Sequence, residues 1–140
     1  MTGRRVLVAD DEPYILRSLT YILRKEGFDV REARTGREAL EAVKADPPDL
    51  VFLDVMMPEV NGFEVCARIK VDPALSGVRI VMLTARGQDQ DRGREAGADL
   101  YMTKPFSPSK IVELARRLLG GGGEEAARGE SGGKAESARS

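Results

Sequence analysis

The strongest restriction on the fold of this chain is a regular exchange of short strand-like runs with longer amphipathic stretches through residues 1–119. Strand-like runs fall at 6–9, 29–33, 50–53, 79–83 and 100–102. The stretches 13–25, 36–45, 63–70 and 108–119 carry apolar residues at helical spacing. Their inward faces are Ile15, Leu19, Ile22 and Leu23; Ala39, Leu40 and Val43; Cys66 and Ile69; and Ile111, Leu114, Ala115 and Leu118. The segment 88–96 reads as a weaker helix, with Gly93 inside it and Gly97 at its end. The first helix takes Asp11 or Glu12 as its N-cap, with Pro13 in the first turn and Gly27 as its stop. Pro47 and Pro48 close the second. Five strands alternating with five helices imply an α/β fold: a parallel sheet, doubly wound and covered on both faces. The fully apolar runs at 50–53 and 79–83 suit its interior strands.

Composition narrows the chemistry. At 140 residues the chain suits one domain, here 1–119. Residues 120–140 are glycine-, serine- and charge-rich with alanine their only apolar type, so they are expected to form a disordered tail. No run approaches the roughly 20 apolar residues that span a bilayer, so a soluble cytoplasmic protein without membrane association is expected. The net charge of −1 does not indicate a nucleic-acid surface, and no direct nucleic-acid partner is expected. The chain contains no histidine and a single cysteine, Cys66. Histidine-ligated zinc, Ser-His-Asp triads, Cys-His pairs and internal disulfides are therefore excluded.

In doubly wound sheets, sites form beyond the carboxyl ends of the strands. Asp10-Asp11-Glu12 follows the first strand, Asp54 the third, Thr84 the fourth, and Lys104-Pro105 the fifth. Acids gathered on one edge repel: two carboxylates about 4 Å apart cost on the order of 4 kcal/mol at an effective dielectric near 20. A hard divalent cation offsets this, and carboxylates without histidine suit Mg²⁺, with Mn²⁺ as the alternative. Mg²⁺ in turn suits a phosphoryl group, and a carboxylate can receive one as an acyl phosphate. Asp54 is the candidate nucleophile, Asp10 and Asp11 the metal-holding pair, and Thr84 and Lys104 the groups that contact phosphoryl oxygens. Taken singly, each has an ordinary reading: Asp10–Glu12 as helix caps, Asp54 as a loop acid, Thr84 as a strand-end hydroxyl, Lys104 as a solvated lysine. Their common edge is what favours the site.

The segments VLVADDEP, VFLDVMMPEVNG, VMLTA and MTKPF, in that order and spacing, resemble the receiver domain of bacterial two-component response regulators over residues 4–119. The resemblance implies strand order 2-1-3-4-5, a flavodoxin-like three-layer sandwich, and phosphorylation at Asp54. It implies Asp11 and Asp54 as direct Mg²⁺ ligands, Asp10 through water, and the Met56 carbonyl as a further ligand. It makes Thr84 the switch hydroxyl, Tyr101 the switch aromatic, Lys104 the phosphate-pairing lysine, and Lys104–Pro105 a cis peptide. The implied donor is a phosphohistidine on a sensor histidine kinase or phosphotransfer protein. The implied product is a conformational signal, with no enzyme activity beyond the domain's own phosphoryl chemistry. With nothing after residue 119 able to form an output domain, a stand-alone receiver is expected. It would be read by a protein on the face of the fourth helix, fifth strand and fifth helix, near Lys110, Arg116 and Arg117. Met56 and Arg86, each two residues past a key residue, are expected to govern water access to the acyl phosphate.

Other classes fit less well. A haloacid-dehalogenase-type hydrolase needs an acid where Met56 stands, and a nucleotide- or flavin-binding module needs a glycine-rich loop where Asp-Asp-Glu-Pro stands. A receiver-like binding module that works without phosphorylation conflicts with the complete acid, threonine and lysine set. Gly93 admits two readings, a marginal helix that re-orders on phosphorylation or a notch for close packing.

Overall fold

Side chains alternate across a strand, so a strand apolar at every position must be covered on both sides. β3 (Leu50–Asp54) and β4 (Arg79–Thr84) are interior strands of a five-stranded parallel sheet. β1 (Arg5–Ala9) flanks β3 on its other side, and β2 (Asp29–Ala33) and β5 (Leu100–Thr103) form the edges, in the order β2-β1-β3-β4-β5. The helices are α1 (Pro13–Lys25), α2 (Gly36–Ala45), α3 (Gly62–Val71), α4 (Gln90–Ala96) and α5 (Pro108–Leu119). The computed structural model describes residues 4–85 and 87–119, apart from the Gln88 side chain. Arg86 and the 120–140 tail therefore lie outside the described residues. The doubly wound fold and its strand order are those expected.

Alternation along β3 divides the core. Leu50 and Phe52 join Val6, Val8, Val81 and Leu83 against Leu16, Leu19 and Leu23 of α1 and Ile111, Leu114 and Ala115 of α5. Val51 and Leu53 join Leu7, Ile80 and Met82 against α2 and α3, through Ala39, Val43, Cys66 and Ile69. Helices sit on opposite faces because each βαβ crossover is right-handed and the strand order reverses direction between β2-β1 and β3-β4-β5.

Several sequence expectations are corrected. The buried line of α1 runs through Leu16, Leu19, Thr20 and Leu23, leaving Ile15 and Ile22 only partly buried, because α1 packs against α5 as well as the sheet. In α5, Val112 and Leu119 are buried and Leu118 partly so. Strands β3, β4 and β5 each run one residue further than expected, through Asp54, Thr84 and Thr103. The ladder joins backbones, so a polar residue stays in it: Asp54 pairs with Leu83, and Thr84 with Thr103. β1 starts at Arg5, and α3 gains a residue at each end, beginning after Asn61, whose side chain accepts from the Glu64 amide. The expected helix at 88–96 is instead a 3-10 turn, Gly87–Asp89, leading into the shorter α4. Another 3-10 turn, Pro73–Leu75, carries too few residues for any periodicity to announce it.

Phe52 is wholly buried in the central strand. Phe52→Ala should cost about 3–5 kcal/mol in urea unfolding, whereas Tyr21→Ala, at a 66% exposed position, should stay within about 0.5 kcal/mol.

Candidate functional site

Strand register brings the site together. Ala9 pairs with Leu53, which puts Asp10 level with Asp54; Asp54 pairs with Leu83, one residue before Thr84; and Thr84 pairs with Thr103, one residue before Lys104. Asp10 and Asp54 are 0% and 4% exposed, Asp11 is exposed, and one carboxylate oxygen from each lies within 4.8 Å of the others. Lys104 Nζ stands 3.2 Å from both Asp10 Oδ2 and Asp54 Oδ1. The second oxygen of Asp10 accepts from the Glu12 amide at 2.9 Å. Of the two expected N-cap candidates Glu12 holds that position in α1, although its side chain makes no cap bond. Asp10, two residues earlier, receives the Glu12 amide because the turn folds it back over the sheet edge.

The electrostatics follow from burial and crowding. Burial, then the neighbouring Asp10, push the Asp54 carboxyl up to about 7, against the pull of Lys104. Burial also raises Asp10, opposed by the Glu12 amide and Lys104. Burial alone would lower Lys104, but Asp54 and Asp10 outweigh it and hold the ammonium above its ordinary range. One lysine thus faces three converging carboxylates. The pocket fits a hard dication with oxygen ligands, such as Mg²⁺.

Two backbone features hold Asp54 in place. Val55 N donates to Leu83 O at 3.0 Å, and Gly62 N donates to Val55 O at 2.8 Å. A Cβ on Gly62 would stand 2.3 Å from the Asp54 carbonyl oxygen, so only glycine lets α3 start this close. Met56, two residues past Asp54, has a side chain 67% exposed. The Lys104–Pro105 peptide is cis.

Thr84 is buried at the end of β4, and its Oγ1 donates to Asp89 Oδ2 at 2.8 Å. Sequence reasoning missed Asp89, since a lone acid in a polar loop carries no signal. Tyr101, half-buried on β5, lies over α4: a Cβ on Gly93 would meet its ring at 3.0 and 3.2 Å. Gly93 thus provides a notch for close packing of the Tyr101 ring. Arg116 is partly exposed, and its guanidinium pairs with Glu26 at the end of α1. Cys66 is buried, and burial pushes its thiol up to about 11, which removes it as a nucleophile.

A five-stranded parallel sheet in the order β2-β1-β3-β4-β5, with an acidic pocket and a lysine at its carboxyl edge, defines the flavodoxin-like fold class. Within that class the chain belongs to the response regulator receiver domain family, whose profile matches residues 6–116. It is 47% identical over 118 residues to the DNA-binding response regulator MtrA of Mycolicibacterium smegmatis, across 83% of this chain and 50% of that protein. The chain therefore spans about half the length of the curated relatives it matches. A putative response regulator from Chloroflexus aurantiacus shares the fold with a TM-score of 0.81 at 34% identity, over 85% of this chain and 99% of that one. Response regulator TrrA from Thermotoga maritima, solved in complex with Mg²⁺-BeF, gives 0.75 at 36%, over 83% and 99%. The protein is a response-regulator receiver of two-component signalling, and receivers bind Mg²⁺ in an acidic pocket of the kind formed by Asp10, Asp11 and Asp54. No helix among the described residues is long and apolar enough to cross a membrane.

The raised Asp54 carboxyl links stability to pH. Its folded value of about 7 exceeds the ordinary 3.8, so between these values the folded protein holds a proton that the unfolded chain releases. This contribution is full at low pH and is lost as pH rises toward 7. Asp54→Asn should therefore melt roughly 5 °C higher than wild type in metal-free buffer at neutral pH. By calorimetry, the gap should shrink at acidic pH and on adding Mg²⁺.

Proposed function

We propose that Asp54 accepts a phosphoryl group from a phosphohistidine on a sensor histidine kinase or phosphotransfer protein in the cytoplasm. The observation that carries this reading is the contact of Lys104 Nζ with both Asp54 and Asp10, inside a cluster of three carboxylates. An Asp54 carboxylate oxygen forms the new O–P bond as the P–N bond breaks, and the electron pair leaves with the imidazole nitrogen. Lys104 follows the developing charge onto a phosphoryl oxygen, and the Thr84 hydroxyl donates to another. Asp11, Asp54 and the Met56 carbonyl would hold Mg²⁺, with Asp10 contacting it through water. When bound, the ion neutralises phosphoryl charge. Both Asp10 oxygens already accept hydrogen bonds, from Glu12 N and Lys104 Nζ, which favours an outer position for that residue.

The conformational result is read by a protein partner on the α4–β5–α5 face, where Lys110 is exposed and Tyr101 packs over Gly93. The domain acts on no separate substrate. A second reading is favoured by the length of the MtrA relative: the same switch works inside a longer DNA-binding regulator. Comparing the size of the native polypeptide with 140 residues separates the two.

Incubation with acetyl phosphate and Mg²⁺ followed by intact mass measurement tests the chemistry. A phosphoryl adduct is expected on wild type, absent in Asp54→Asn and abolished by a chelator. No adduct on wild type would overturn the reading in favour of a binding module that works without phosphorylation. Met56, projecting beside Asp54, is expected to shield the acyl phosphate from water. Met56→Asn should shorten its half-life in a timed mass assay, and an unchanged half-life removes this role. Its expected counterpart Arg86 lies outside the described residues.

A further inference from the structure

We propose that Asp89 is a positioning residue that holds the Thr84 hydroxyl in the unphosphorylated protein, so that breaking this hydrogen bond is a step in the response. The inference rests on the reading of Asp54 as phosphoacceptor and Thr84 as its hydroxyl partner. Thr84 Oγ1 donates to Asp89 Oδ2 at 2.8 Å, between side chains of residues only 1% and 7% exposed. A hydroxyl has one proton, and an ionised carboxylate only accepts. The proton that the phosphorylated state directs to a phosphoryl oxygen is here committed to Asp89.

The position of Asp89 has no simpler explanation. It immediately precedes the first residue of α4, where an aspartate ordinarily caps the helix. Yet its backbone is helical, with φ −77° and ψ −4°, and its side chain makes no cap bond. The carboxylate is turned inward instead, a placement that costs desolvation unless a donor meets it, and Thr84 is that donor. The Thr84 backbone is held separately: its carbonyl accepts from Lys104 N at 2.6 Å, and it pairs with Thr103 in the ladder. Asp89 ends the 3-10 turn that runs into α4, so losing Thr84 loosens the start of α4, the border of the face proposed for output. Asp89 sets a threshold: the phosphoryl group must outcompete a buried carboxylate before the hydroxyl moves.

Beryllofluoride, which adds to a carboxylate as a phosphoryl mimic, measures that threshold by calorimetric titration in Mg²⁺. Asp89→Ala should bind it about tenfold more tightly than wild type, the scale of one hydrogen bond to a charged group. Asp89→Asn keeps an uncharged acceptor and should gain roughly threefold. In a Thr84→Ala background, Asp89→Ala should bring no gain. Thermal melts identify a variant that fails to fold, and the isosteric Asp89→Asn then carries the test. Unchanged affinity in the folded Asp89 variants, or an equal gain without the Thr84 hydroxyl, overturns the proposal alone. Absence of both beryllofluoride binding and an acetyl-phosphate adduct on wild type overturns the Asp54 reading, and this inference with it.

Discussion

The arrangement of this protein depends on one electrostatic conflict at the carboxyl edge of its sheet. The parallel register places Asp10 level with Asp54, and Asp11 follows on the same rim. Among the described residues a single ammonium, that of Lys104, reaches two of these acids and cannot neutralise three. Burial makes the conflict sharper, since water is not there to screen it. The pocket is thus held short of positive charge, and either a cation or a proton must make up the difference. Cation binding and protonation of Asp54 are therefore two answers to the same deficit.

The sheet makes the conflict possible by leaving no alternative for its central strand. Leu50, Val51, Phe52 and Leu53 are buried on both sides, so β3 cannot slip without exposing one face or burying the wrong one. Asp54 is the next residue in that ladder. Its location at the rim is therefore enforced by the apolar residues before it, and by the clamp of α1 and α5 on one face and α2 and α3 on the other.

Much of this was legible beforehand. The fully apolar runs marked β3 and β4 as interior strands, and the rule that sites lie beyond strand ends placed Asp10, Asp11, Asp54, Thr84 and Lys104 on one edge. The illegible parts share a physical cause: they depend on tertiary neighbours rather than local pattern. The buried line of α1 shifted to Leu16 and Thr20 because α5 covers one flank of the helix. The pairing of Arg116 with Glu26, a residue 90 positions away at the end of α1, is likewise set by tertiary neighbours. Asp89, the one acid of its polar loop, gives no local sign that its side chain turns inward.

The glycine at the start of α3 has a consequence for how such a site can diversify. Because Gly62 lies against the carbonyl of Asp54, no side chain is tolerated there without moving Asp54. Met56 presents the opposite case: it is 67% exposed, so a replacement there meets mostly solvent. The pocket therefore combines an invariant floor with an exchangeable rim. Variation in a pocket built this way is channelled toward its solvent-facing rim, and away from the backbone that carries Asp54.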